Sequence, residues 1–230
     1  MKGVIAKMKR IDFEDGTLTG NIIGTALPML VAQILNLLYN IVDRIYIGRI
    51  PEIGTTALGA VGLCFPFIVI ISAFSGLFGT GGAPLFSIYR GRKDQAGARK
   101  IMNTSFTMLF LSGVILMTIG LIFTKPILVL FGASENALTY AYPYMMIYLI
   151  GTLPSMIALG MNPFINAQGY SLIGMLLVTI GAVSNLILDP LFMFALGFGV
   201  RGAAIATIIS QFLSALFVIV FLTRKSELRV

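Results

Sequence analysis

The chain has 230 residues, of which 57% are hydrophobic and only 11% charged, and its mean hydropathy is +0.96. A soluble domain carries about 25% charged residues, so the composition argues against a soluble enzyme, a nucleic-acid-binding protein or a disordered chain. The net charge is +7, but histidine is absent and cysteine occurs once, which excludes an intrachain disulfide and a Cys/His zinc site.

Six stretches of the sequence are long and apolar enough to cross a bilayer, which takes about 20 residues of helix. Their approximate limits are 21–47, 57–84, 101–123, 138–160, 168–196 and 201–223. We therefore predict an all-α, polytopic membrane protein with a six-helix transmembrane bundle at 21–223. An N-terminal tail at 1–20 and a C-terminal tail at 224–230 flank this bundle.

The distribution of basic residues predicts the orientation of the bundle. Three segments on one side hold twelve of the sixteen: Lys2, Lys7, Lys9 and Arg10; five in the connection 90–100; and Arg224, Lys225 and Arg229. Basic residues are enriched on the cytoplasmic side, so both termini are predicted to be cytoplasmic in a cell membrane. The connection 90–100 lacks interleaved aromatic residues, and we interpret it as an orientation signal lying against anionic lipid, with no nucleic-acid partner.

Two acidic residues lie inside the predicted spans, Asp43 in the first and Asp189 in the fifth. An ionised side chain at the bilayer centre costs about 2.5–3.5 kcal/mol, so such residues usually mark ion or proton pathways. In the predicted topology both spans run outward and both acids come near the outer end. Asn185 precedes Asp189 by one helical turn, and Thr207 enters from the sixth span at a similar level.

Further polar residues follow helical spacings in two other spans. They are Gln33, Asn36 and Asn40 before Asp43, and Tyr140, Tyr144 and Tyr148 in the fourth span. Their structural alternatives are amides that bond between helices and tyrosines at the membrane interface. Thr207 also has a structural alternative, since a threonine hydroxyl commonly bonds to a carbonyl of its own helix.

Two prolines are candidate bend points, because proline removes a backbone donor from a helix. Pro28 lies upstream of the polar stripe in the first span, and Pro190 follows Asp189 directly. The carboxylates with the neighbouring amide and hydroxyl offer oxygen ligands for a hard cation or a shared proton. We therefore predict a cation or proton site at Asp43, Asn185, Asp189 and Thr207.

Three segments carry a resemblance to a known family: Asn-Ile-Val-Asp-Arg-Ile-Tyr-Ile-Gly at 40–48, Asn-Ala-Gln-Gly at 166–169 and Asn-Leu-Ile-Leu-Asp-Pro at 185–190. They resemble the multidrug and toxic compound extrusion (MATE) transporters, specifically the prokaryotic DinF-type branch. The resemblance implies export of drugs or organic cations in exchange for Na⁺ or H⁺, by alternating access between two six-helix lobes. It implies no enzymatic activity and no cofactor beyond the coupling ion.

Carried over to this sequence, the resemblance assigns the coupling-ion site, for Na⁺ or H⁺, to Asp43, Asn185, Asp189 and Thr207. Tyr144 would be adjacent, with Asn36 and Asn40 as nearby polar support and Pro28 as the bend point. The chain corresponds to the N-terminal lobe only. Its implied partners are a second six-helix lobe, either a missing C-terminal half or a second copy, together with membrane lipid and a small-molecule substrate.

Three alternatives accompany this interpretation. A lipid-linked oligosaccharide flippase of the same superfamily should have several cations lining its cavity, and Arg44 is the only basic candidate within a span. A second alternative is a fragment that does not transport. The third, an intramembrane aspartyl protease, resembles Tyr-Asp and Gly-x-Gly-Asp motifs. We reject it because Val42 precedes Asp43 and Leu188 precedes Asp189.

Overall fold

The computed structural model describes residue 11, residues 17–224, residue 226 and residue 228, and within them it contains helices and no strands. The helices are α1 Leu18–Gly48, α2 Gly54–Gly91, α3 Gln95–Leu130, α4 Glu135–Ile150, α5 Thr152–Ala167, α6 Ser171–Pro190, a short π-helix Leu191–Ala195 and α7 Val200–Arg224. The predicted all-α fold is confirmed. Six of the tail cations used above lie outside the described residues: Lys2, Lys7, Lys9, Arg10, Lys225 and Arg229.

Five of these helical segments are long and apolar enough to span a membrane, namely α1, α2, α3, α6 with its π-helical extension, and α7. The pair α4 and α5 meets the same criterion as one broken span with a bend of 56°. Many large apolar side chains on the helices are exposed, including Leu130 at 81%. In water this surface would be an aggregation hazard, whereas in a bilayer it faces lipid.

The break between α4 and α5 corrects the prediction of one continuous span at 138–160. The chain bends at Gly151, and Pro154 follows three residues later. Proline has no N–H to donate to the carbonyl of Ile150, so one backbone hydrogen bond of the helix is missing at the bend. The helix then continues to Ala167, so residues 161–167, predicted as a connection, are helical. The fifth span begins at Ser171 instead of residue 168.

The turn between α5 and α6, at residues 167–169, accepts hydrogen bonds from three residues that are distant in sequence. Arg90 Nη1, at the end of α2, donates to the carbonyl of Ala167 at 2.6 Å. The Leu228 backbone N–H donates to Gln168 Oε1 at 3.1 Å, and the Ile11 N–H donates to the carbonyl of Gly169 at 3.0 Å. Ile11, before α1, and Leu228, after α7, therefore lie on the same side of the bundle. This arrangement requires an even number of crossings, which supports six.

Packing within the bundle is uneven. Helix α1 lies mainly along α6, while α2 packs on α3 and α5, and α7 packs on α6, α5 and α4. At the crossing of α2 and α5, Gly79 faces Gly160, and a Cβ atom on Gly79 would overlap the backbone of Gly160. The two helices therefore touch backbone to backbone at this point, as small residues allow in membrane bundles.

Candidate functional site

A buried hydrogen-bonded cluster joins α6 and α7. Asn185 Nδ2 donates to Asp189 Oδ1 at 3.1 Å and to Thr207 Oγ1 at 3.3 Å. Asn185 and Asp189 are 2% and 0% exposed. The spacing of four residues puts both on one face of α6. The Thr207 hydroxyl donates to the carbonyl of Ala203 at 2.9 Å, so it bonds to its own helix and also accepts from Asn185.

Asp43 on α1 completes this group. Its carboxyl group is a neighbour of the Asp189 carboxyl group and close enough to interact with it. Three buried oxygens at the site have no donor: Asp43 Oδ1, Asp189 Oδ2 and Asn185 Oδ1. A buried polar atom left unpaired costs about 1–3 kcal/mol, so these oxygens favour a bound species that supplies positive charge.

The donor set fits a hard cation or a proton. Carboxylate and amide oxygens are the ligands that such cations prefer, and a single proton can be shared by two adjacent carboxyl groups. No group of three or more His, Cys, Asp or Glu side chains suited to a metal occurs in the described part of the chain. A metal ion here would therefore rely on the Asn185 amide and the Thr207 hydroxyl besides the two carboxylates.

The end of α6 shows why Asp189 occupies a special backbone position. Pro190 has no N–H, and the five residues that follow it form a π-helix, in which the Leu196 N–H donates to the carbonyl of Leu191 at 2.9 Å. Single π-helical turns are frequent at functional sites. The helix type therefore changes directly after Pro190, and a bend at this residue stays a prediction. By contrast, α1 runs unbroken through the buried Pro28, and a bend there stays a prediction.

An open cavity of about 640 Å³ adjoins Asn185 and Thr207 and is lined by residues of α1, α2, α5, α6 and α7. Its polar lining includes Gln33, Asn36, Tyr39, Thr80, Ser155, Asn162, Asn166, Asn185, Thr207 and Gln211. None of the described residues that line it is charged. Arg44, the cation next to Asp43 in sequence, is exposed and lies over the ring of Phe65 at 5.3 Å. The cavity therefore lacks the cations expected of the flippase alternative.

The remaining predicted site residues have different surroundings. Gln33 and Asn36 line the cavity, whereas Asn40 is exposed and its amide donates to Asn36 Oδ1 at 2.9 Å. Tyr144 is buried near the acid pair and stacks on Tyr148, with ring centroids 6.1 Å apart.

Several residues that line the cavity are absent from the sequence predictions. They are Tyr39 on α1, Asn162 on α5 and Gln211 on α7. A signal existed for Gln211, because Thr207, Gln211 and Ser214 follow at spacings of four and three residues in an otherwise apolar helix. Asn162 lies in the stretch 161–167, which hydropathy predicts as a connection and which is helical.

Comparison with known proteins adds a family and its relatives. The MatE family model matches residues 28–191. The "Multidrug export protein MepA" of Staphylococcus haemolyticus is 30% identical over 215 residues, which cover 94% of this chain and 47% of that protein. A protein of the same name from Staphylococcus aureus strain MSSA476 is 27% identical over 202 residues, 88% of this chain and 44% of that protein. The chain spans about half the length of the curated relatives it matches.

Solved structures give the same result. A crystal structure of MATE in complex with MaD3S superposes with a TM-score of 0.88 at 28% identity, covering 94% of this chain and 48% of that one.

Proposed function

Since this chain belongs to the MatE family, we propose that it forms one six-helix lobe of a cation-coupled exporter of drugs or organic cations. The relatives named as multidrug export proteins support this substrate class. Because the chain spans about half of their length, we propose that the lobe works with a second six-helix lobe, in the same longer chain or as a second copy. The DinF-type branch stays a prediction.

One observation carries the proposal: two neighbouring carboxyl groups each have an unpaired buried oxygen, and Asn185, which donates to one of them, lines an uncharged cavity. In the proposed mechanism Asp43 and Asp189 take up the coupling ion, Na⁺ or H⁺, with Asn185 and Thr207 as neutral ligands. Without the ion, two like charges in a medium of low polarity repel one another. With it, the repulsion between the two helices that carry them is removed.

Helix α1 is the element through which the ion can affect the substrate. It carries Asp43 as well as the cavity residues Asn36 and Tyr39, and it packs mainly along α6, which carries Asp189. When the ion removes the charge repulsion between α1 and α6, the two helices can move closer together, and the shape of the cavity changes. The ion and the drug then bias one two-state element, and their binding is coupled reciprocally.

The coupling predicts that Na⁺ or acidic pH weakens drug binding to the purified chain. Ethidium fluorescence in detergent, titrated with and without Na⁺ in alkaline and acidic buffers, measures the affinity. We expect an ion effect of about 5–150-fold, the usual range of coupling between sites. Protons and Na⁺ compete for the same oxygens, so the Na⁺ effect is expected to diminish as the pH falls.

The controls use two substitutions that each remove one negative charge. Asp43→Asn should abolish the ion effect, whereas Glu52→Gln, at an exposed acid outside the site, should leave it intact. The coupling is contradicted if the affinity for ethidium does not change with Na⁺ or with pH. It is also contradicted if Asp43→Asn still shows the ion effect.

The proposed orientation has both termini in the cytoplasm, and cysteine labelling tests it. Residues 95 and 135 begin α3 and α4, at opposite ends of α3, and both are exposed. An impermeant thiol reagent added to intact cells should label a cysteine introduced at 135 and not one introduced at 95. The unsubstituted chain is the control, because its single cysteine, Cys64, is buried. Labelling at 95 without labelling at 135 would contradict the proposed orientation and would place both termini outside the cell.

A further inference from the structure

A second cavity, separate from the one beside the acid pair, lies on the outer surface of the bundle at the beginning of α3. It is a groove of about 700 Å³. The residues that line it are Gln95, Ala96, Arg99, Lys100, Asn103, Thr104, Thr107, Met108 and Leu228. All but the buried Leu228 are exposed, so a ligand can reach the groove from the surroundings of the protein.

Arg99 and Lys100 give this groove a positive charge that no acid among the described residues neutralises. Neither forms an ion pair, a hydrogen bond or a ring contact in the structure of the described residues. Asp94, the nearest acid in sequence, is not among the lining residues, and its carboxylate caps α3 by accepting from the Gly97 N–H at 2.8 Å. The groove therefore favours an anionic ligand.

The position of these residues in α3 indicates their depth in a bilayer. Arg99 and Lys100 directly precede the apolar stretch 101–123, and α3 is kinked at Phe123, where the backbone leaves the helical conformation. As a helix this stretch is about 35 Å long, enough to cross a hydrocarbon core of about 30 Å. Arg99 and Lys100 then lie at the level of lipid headgroups, and Asn103 and Thr104 lie at the boundary of the hydrocarbon.

The side chains of the groove change in character with this depth. One turn beyond the two cations, about 6 Å deeper, come the Asn103 amide and the Thr104 hydroxyl, to which none of the described residues bonds. Thr107 is different, because its hydroxyl donates to the carbonyl of Asn103 at 2.9 Å. Deeper still, Met108, Leu111 and Ile115 form an exposed apolar stripe on α3.

We propose that this groove is a binding site for one anionic diacyl glycerophospholipid of the surrounding membrane. The phosphate binds Arg99 and Lys100, the ester carbonyls accept hydrogen bonds from Asn103 and Thr104, and an acyl chain lies along Met108, Leu111 and Ile115. A soluble phosphate would use the two cations only, whereas the lipid matches all three levels of the groove in order. This site is independent of the coupling ion and of the exported substrate.

Native mass spectrometry of the purified chain in detergent tests this site, with phosphatidylglycerol and phosphatidylcholine as probes. Phosphatidylglycerol should bind tightly and phosphatidylcholine weakly. Each cation near an anionic lipid contributes about fivefold, so the double substitution Arg99→Gln/Lys100→Gln should weaken phosphatidylglycerol binding by more than about tenfold. The matched control is Arg92→Gln/Lys93→Gln, which removes the same charge from the connection outside the groove and should change the binding less than about twofold.

Equal weakening by the control pair would mean that overall charge, not the groove, attracts the lipid, and it would overturn the proposal. Equally tight binding of phosphatidylcholine would do the same. A third arm adds glycerol phosphate, and displacement of the lipid by an equal concentration of this soluble anion would show that the deeper residues contribute nothing.

A second variant tests the deeper contacts without touching either cation. Asn103→Leu should abolish the preference of the chain for diacyl over diether phosphatidylglycerol, because the ether lipid has no ester carbonyl to accept a hydrogen bond. Asn103 is exposed, so this substitution is not expected to disturb packing. If neither the chain nor the variant distinguishes the two lipids, the assignment of the ester carbonyls to this groove is wrong.

Discussion

Asp189→Asn, introduced into a two-lobed exporter that contains this lobe, is expected to reduce coupled drug export to background while membrane insertion persists. Asp189 is fully buried and lies beside Asp43, so its charge is available to balance a cation or proton. Asparagine has nearly the same shape, removes the charge, and costs less to bury. Ethidium efflux from energised cells, at matched amounts of transporter in the membrane, measures the loss.

Two further substitutions at the same site are expected to reduce efflux less than Asp189→Asn does. Asn185→Ala removes a side chain that donates to both Asp189 and Thr207 but leaves both carboxylates, so efflux should fall less. Thr207→Ala should have the smallest effect, because its hydroxyl donates only to its own helix. Efflux by Asp189→Asn that equals that of the unsubstituted exporter would show that this acid is structural, and the proposed coupling would have to be abandoned.

Gly79→Ala, a single added methyl group on α2, is expected to destabilise the bundle. The added Cβ would overlap the backbone of Gly160 on α5, and a backbone cannot move aside as a flexible side chain can. Forced overpacking costs about 1–3 kcal/mol, and the two helices would have to separate. Thermal unfolding of the purified chain in detergent should show a lower melting temperature.

The same helix supplies the control. At Gly62 a Cβ atom would meet no other atom within 4 Å, so Gly62→Ala adds only the better helix propensity of alanine, about 1 kcal/mol. Its melting temperature should stay level or rise. If both variants lose stability to the same extent, the loss does not come from the contact between α2 and α5.

Membership of the MatE family confirms the main sequence predictions of fold class, multi-pass membrane location and absence of enzymatic activity. These could be predicted because long apolar runs have few alternatives in a bilayer. The contacts among Asn185, Asp189 and Thr207 could be anticipated for a similar reason: a buried polar group needs partners at its own depth.

Other features could not be predicted because they depend on local backbone geometry and on packing. The break at Gly151 follows from a proline three residues later, but Pro28 is accommodated in α1 without a break, so proline alone does not decide. The cavity residue Tyr39 depends on the rotation of α1 about its axis, which its contact with α6 determines. Hydropathy carries no information on that rotation.

The turn that binds both Ile11 and Leu228 has a consequence for engineering the lobe. Because the two backbone N–H groups bond to neighbouring residues of one turn, a short peptide could join residue 228 to residue 11 on one side of the membrane. New ends could then be opened at residues 49–53, between α1 and α2. In the resulting circular permutant α1 is the last helix to be synthesised, so it must insert beside an α6 that is already in place. Circular permutations are tolerated where the joined residues lie close together.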